Sequence, residues 1–261
     1  VLARIRPSKV SKFTTVCFDG SNAVTATTTA TSIDVLSTLA LRGVLVAVAD
    51  EFTAQTGLSF IATYKSTNMT LGLIAQGLTA DMTIVTREAM DQLLRDGVIV
   101  EGSTADLAQS GVGIAVRAGA AKPDISTVDV LRRTLLAAKS VAFSRVGASG
   151  IHFGNVIERL GIADEVRRKA HISDSFVGEV AARGDAEIAV QQISELKAVA
   201  GIDIVGPLPN DVQKISVFAA GIFRAARNPD GAKKLIAYLA DPRLAPVIIG
   251  TGLEPVSRPG S

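Results

Sequence analysis

"LSFIATYKSTNMTLGLIAQG", residues 58–77, reads as a short apolar strand, a polar turn at Lys65 to Asn68, and a helix that ends near Gly77. The same unit stands on either side of it. Upstream, "IDVLS" is a strand from Ile33, followed by a helix marked by Leu41, Val44, Leu45, Val48 and Phe52 and closed by Gly57. Downstream, "ADMTIVT" is a third strand and "REAMDQLLRDG" a third helix. Parallel neighbours need crossovers, and a helix after each strand supplies one, so the fold class is α/β with a parallel sheet covered on both faces.

A second set of units follows "SGVGIAVRAG", residues 110–119. Ser126 and Asp129 read as a variant capping box, with Ile125 and Val130 as its hydrophobic staple, ahead of the helix "TVDVLRRTLLAAK" and the strand "SVAFS". In "SRVGASGIHFGNVIERLGI", residues 144–162, Phe153, Val156, Ile157 and Leu160 form the stripe of an amphipathic helix that stops at Gly161. A helix around Phe176 to Ala182, the strand "EIAV", the pair Gln191-Gln192, a short helix and the strand "IDIV" come next. "QKISVFAAGIF" is a long strand. Asn228-Pro229 then opens a helix carrying Leu235, Ile236 and Leu239, Pro242 stops it, and a last short helix holds Val247 and Ile248.

Composition narrows the function. The chain has 261 residues, 48% apolar and 20% charged, with 27 basic against 25 acidic residues. That net of +2 without basic runs, and only 4% aromatics with no Trp, argue against a nucleic-acid partner. One cysteine, Cys17, and two separated histidines argue against an internal disulfide and a metal centre, and no cofactor is expected. Arg42 and Asp50 interrupt the most apolar region, so a soluble protein is expected. Residues 1–32 lack periodicity, end in a Thr/Ala tract and have no recognisable signal-peptide core; a disordered extension is expected there.

Open α/β sheets bind ligands outside the carboxyl ends of their strands. Four turns there are rich in small donors: Ser37-Thr38, Ser66-Thr67-Asn68, Gly147-Ala148-Ser149-Gly150, and Gln191-Gln192. Singly, the hydroxyl residues are ordinary helix caps, as Ser149 or Gly150 would be, and the glutamines ordinary loop residues. Together they suggest an anion cradle, because a helix start also offers free N–H groups and a partial positive charge. Uncharged donors suit an anion that must be released again.

The order of blocks, "STNMTLGLIAQG", "ADMTIVT", the small-residue turn before "ERLGIADEV", and "NPDGAKKLIAYLADP" through "IIGTGLEP", resembles the molybdate-type periplasmic solute-binding proteins of ABC importers over roughly residues 33–255. The resemblance implies a type 2 periplasmic-binding fold, with residues 33–112 and 221–261 as one lobe and 113–220 as the other. "VGIAVRAG" and "QKISVFAAGIF" would be the crossing strands. It implies anion contacts from Ser37 or Thr38, from Ser66, and from the turn around Ser149. A monomer, a permease partner and a periplasmic location are expected with it. Gln191 and Gln192 stand where molybdate binders place a tyrosine, and Arg145 adds a guanidinium to the anion turn. Both changes favour an organic polycarboxylate over a molybdate-like oxyanion. The segments "GASGIHF" and "VQQISE" also resemble aconitate isomerase, an enzyme on this fold, in which case His152 would be the base. A ligand-sensing domain without transport is a third reading.

Overall fold

A strand covered on both faces should be apolar nearly throughout, and Met82–Thr86 is buried at all five positions. Ser59–Lys65 alternates between exposed and half-buried, as a sheet-edge strand does. The computed structural model describes residues 32–173 and 176–256. The extension expected at 1–32, Cys17 included, lies outside the described residues apart from Ser32, which begins the first strand.

In the first half the chain runs β1 (Ser32–Thr38), α1 (Arg42–Thr56), β2 (Ser59–Lys65), α2 (Thr67–Ala75), β3 (Met82–Thr86), α3 (Arg87–Arg95) and the long β4 (Ala105–Arg117). It continues through α4 (Val128–Ala137), β5 (Val141–Phe143), α5 (Ala148–Arg159), α6 (Ala163–Arg168), β6 (Ala170–Ile172), α7 (Gly178–Arg183), β7 (Ile188–Gln192), α8 (Ile193–Lys197) and β8 (Ile202–Pro207). It returns through β9 (Ile215–Ile222) to α9 (Pro229–Leu239), α10 (Ala245–Gly250) and β10 (Glu254–Pro255).

Hydrogen bonding follows the order β2-β1-β3-β9-β4-β7-β5-β6, with β8 and β10 also on β4. The expected parallel pairing is found within β2-β1-β3 and within β7-β5-β6, whereas β4 and β9 run antiparallel to their neighbours. The two halves therefore share one strand. Residues 105–111 of β4 pair with β9, and residues 112–117 pair with β7 and β8.

Two apolar cores flank that exchange. The first gathers Val35, Leu45, Phe52, Ile84, Ala108, Phe218 and Leu235, and the second Val112, Leu131, Phe153, Ile157, Ile188 and Val212. The outward crossing thus falls between Ala108 and Val112. On the return, Val212 packs in the second core and Phe218 in the first.

Local signals were misread at two places. Thr127, not Ser126, caps α4 by accepting from Val130 N at 3.2 Å, while the Asp124 carboxylate accepts from the Ser126 N–H at 2.9 Å. Gln191 and Gln192 extend β7 instead of following it, since Gly113 and Val112 of β4 stand opposite them as ladder partners.

Asp81, only 2% exposed, gathers the first half's loose ends. Its carboxylate accepts from Asp34 N, Arg227 N and Asn228 N, each at 2.8 Å, and Asn228 in turn caps α9 by accepting from Gly231 N at 3.0 Å. Asp81→Ala would leave one buried and two part-buried backbone donors without their acceptor and should cost about 2 kcal/mol or more in urea unfolding. A loss below about 1 kcal/mol would mean that the backbone finds other acceptors.

Candidate functional site

Three parallel strands of the first half end level, with Thr38 beside Lys65 and Ser37 beside Ile84, so Thr38, Ser66, Thr67 and Thr86 come to one edge. The Ser37 hydroxyl turns back and donates to the Thr38 carbonyl at 3.0 Å, so of that pair Thr38 presents the free hydroxyl. Ser66 caps α2, its oxygen accepting from Met69 N at 3.3 Å. Thr38 and Thr86 have the extended backbone of capping residues but cap nothing. Thr38, Thr67, Thr86 and Ser149 are each at most 7% exposed, yet their hydroxyls have no hydrogen-bond partner among the described residues. Their oxygens are not among the side-chain atoms closed off from solvent without a partner, so each is open to a partner from outside, and Thr67 and Thr86 line the cavity described below. Thr86 escaped the sequence reading although it closes the third strand just as Thr38 closes the first.

From the second half comes the turn before α5. Ser144 Oγ accepts from Val146 N at 3.2 Å and Gly147 N at 3.0 Å, which folds the turn back on itself. Gly147 is the cap residue of α5 and no side chain caps the helix; Ala148, Ser149 and Gly150 form its first turn. Neither Ser149 nor Gly150 is therefore the cap. A Cβ on Gly150 would lie 1.8 Å from the Ser144 carbonyl oxygen, so only glycine permits this approach.

Two contacts join the halves beside these groups. Asn68 Nδ2 donates to the Val146 carbonyl at 3.1 Å, and the Arg42 guanidinium lies 5.3 Å from the centre of the Phe176 ring. A cavity of about 220 Å³ lies between the halves, lined by Thr67, Asn68, Thr86 and Glu88 on one side and by Ala148, Ile151, His152, Asn155 and Lys214 on the other. His152 is half-buried, and its Nε2 lies 2.8 Å from the Val212 carbonyl. A carbonyl only accepts, so Nε2 carries the hydrogen and Nδ1 is the basic position.

The remaining expected ligands have other work. Gln191 Oε1 accepts from Val177 N at 2.8 Å and Gly178 N at 3.4 Å, at the start of α7. Gln192 donates to the carbonyls of Gly111 at 3.0 Å and Ser110 at 3.1 Å and accepts from Ser216 Oγ at 3.1 Å, joining both crossing strands. Arg145 is exposed and lines a different cavity, with Arg167, Phe143 and Ile172. Both amides are thus engaged by protein partners, and the guanidinium lines a neighbouring cavity that also touches Ser144 and Gly150 of the turn.

Glu195 on α8 was also missed, because a glutamate in a short helix reads as solvated. It is buried, and burial pushes its carboxyl up to about 7, an effect that a hydrogen bond from the Gln191 side chain partly offsets. Among the described residues no cluster of His, Cys, Asp or Glu could hold a metal ion, and no helix is long and apolar enough to cross a membrane.

Comparison with known proteins places this geometry. A family model described as bacterial extracellular solute-binding protein matches residues 33–254. A Pseudomonas sp. protein named aconitate isomerase is 37% identical over 233 residues, which cover 87% of this chain and 88% of that protein. Among solved structures, the periplasmic molybdate-binding protein of Azotobacter vinelandii superposes with a TM-score of 0.73 at 18% identity, over 86% of this chain and 100% of that one. The sulfate-binding protein of Mycobacterium tuberculosis gives 0.68 at 17% identity, over 87% of each chain. At such identity the two structures share the fold, the type II periplasmic-binding architecture.

Two substitutions in α5 test the turn. Gly150→Ala should lower the melting temperature and displace the first turn, whereas Gly154→Ala, whose Cβ meets nothing within 4 Å, should be neutral or stabilising by up to about 1 kcal/mol. Equal melting temperatures for the two variants would show that the turn can relax. Glu195 supplies a pH test. A carboxyl whose folded pKa of about 7 exceeds its ordinary 4.5 binds more protons when folded, so its contribution is full below pH 4.5 and falls as pH rises toward 7. Urea unfolding of Glu195→Gln should therefore match the parent more closely at pH 5 and exceed it at pH 8, by no more than about 3 kcal/mol. The same difference at both pH values would rule the effect out.

Proposed function

Because the chain belongs to the family of bacterial extracellular solute-binding proteins, we propose that its two halves close over a small organic polycarboxylate and present it, outside the cytoplasm, to an ABC permease. The observation that carries this reading is a cavity between the halves lined by the hydroxyl residues Thr67 and Thr86 and by Ala148 of the uncapped first turn of α5, with Thr38 ending the neighbouring strand and Ser149 following Ala148. Such donors hold an anion by geometry, and a helix start adds N–H groups and a partial positive charge. Two facts support an organic acid over a single-centred oxyanion. The cavity wall carries Asn155 and Lys214 as well as Thr67 and Thr86, and the 37% identical relative is named for aconitate, a tricarboxylate.

That relative's name also favours a second reading, isomerisation on the same site. His152 lines the cavity with Nδ1 as its basic nitrogen. It would take a proton from the carbon next to a carboxylate, the hydroxyls would stabilise the charge that develops, and the proton would return at the far carbon of the allylic system.

Calorimetry with trans-aconitate, citrate, molybdate and sulfate separates the ligand classes. The carboxylates should bind better, and Thr86→Val or Ser149→Ala should weaken them by roughly 1–3 kcal/mol. Tight molybdate binding with no carboxylate signal would overturn the proposal. Following trans-aconitate by NMR in the same samples would reveal turnover, which His152→Ala should abolish; unchanged turnover would remove that residue from the chemistry.

A further inference from the structure

We infer that Lys214 binds a second carboxylate of the ligand, so that the site selects anions with two or more carboxylates over those with a single charged centre. This rests on the ligand class proposed above. The hydroxyls of Thr67 and Thr86 and the start of α5 are uncharged, whereas Lys214 brings a full positive charge to the same cavity from the second half. No ion pair engages Lys214 among the described residues. Arg87, the cation next to Thr86, is taken up by Asp106 and Asp91.

The backbone that carries Lys214 is held on two sides. Its N–H donates to Gln213 Oε1 at 2.9 Å, and that side chain grips Val112 of β4 through the Val112 N–H at 2.8 Å and the Val112 carbonyl at 2.9 Å. On the other side His152 holds the Val212 carbonyl at 2.8 Å. The ammonium thus extends from a fixed base at the crossing between the halves, and little backbone order remains to be gained on binding. Glu88, in the first turn of α3, lines the cavity from the opposite half without pairing with Lys214. Its charge opposes an anion, so the two residues make opposite predictions.

Isothermal calorimetry on the full chain tests this with trans-aconitate as the tricarboxylate and acetate as the single-centred control. Lys214→Gln should weaken trans-aconitate about tenfold, the scale of one charge-assisted hydrogen bond, and acetate less than about twofold. Glu88→Gln should tighten trans-aconitate several-fold, and Lys214→Arg should stay within a few-fold of the parent, roughly as charge retention requires. Both changes are on exposed side chains, and unchanged melting temperatures would confirm intact folding. An equal loss for both ligands, or no loss for either, would overturn the role of Lys214. If Thr86→Val still weakens trans-aconitate in that case, the proposed site stands without it. Should the parent protein bind no carboxylate, the role of Lys214 and the ligand class fall together.

Discussion

One strand must satisfy its backbone hydrogen bonds in two different sheets, and the rest of the molecule is arranged around that requirement. β4 pairs with β9 up to Gly111 and with β7 and β8 from Val112 onward. Where the partners exchange, backbone groups would be left without a neighbour, and buried N–H and C=O groups tolerate that poorly. Gln213 takes the missing neighbour's place at Val112, and Gln192 does the same at the carbonyls of Ser110 and Gly111. These side chains fit because the strand is bare on either side of Val112. A Cβ on Gly111 would meet Gln213 Nε2 at 3.1 Å, and one on Gly113 would meet Ile193 Cγ1 at 2.6 Å.

This crossing connects directly to the cleft. Gln192 follows Gln191, which holds the start of α7 just after Phe176, and Phe176 meets Arg42 of the other half. Gln213 precedes Lys214 at the cavity wall. Across the cleft run an amide-to-carbonyl hydrogen bond and a cation–π contact, each worth on the order of 1 kcal/mol. In the function proposed above, charge-assisted bonds from the hydroxyls to an anion, about twice as strong as neutral ones, would add to them.

What could be read from the letters was whatever depended on neighbours in the chain. The stripe of Phe153, Val156 and Ile157 is buried as its spacing requires, and Gly57 and Gly161 take the left-handed conformation of helix stops, with φ of 70° and 64°. Ser66, Thr67 and Asn68 stand at the strand-to-helix turn because a cap and a turn are local matters. Partners far along the chain decided the rest. Gln192 is engaged by Ser110, Gly111 and Ser216, Gln191 by a helix 13 residues upstream, and Arg145 lines a neighbouring cavity. No local pattern distinguishes an amide that bridges two strands from one that meets a ligand. Thr86 differs, because the rule that located Thr38 applied equally to it.

Hydroxyls and backbone N–H groups recognise oxygen atoms without recognising what those atoms are attached to. In the function proposed above, a cradle built from them would accept small anions of many kinds. Discrimination must come from the groups at the cavity's margin, where Glu88, His152, Asn155 and Lys214 stand on α3, α5 and the return crossing. Those positions can change without disturbing Asp81, the Ser144 turn or the bonds along β4, since their side chains hold neither core together. In that reading the division of labour is physical: the strand ends and the helix start would attract any small anion, and the margin would decide how many charges it must carry.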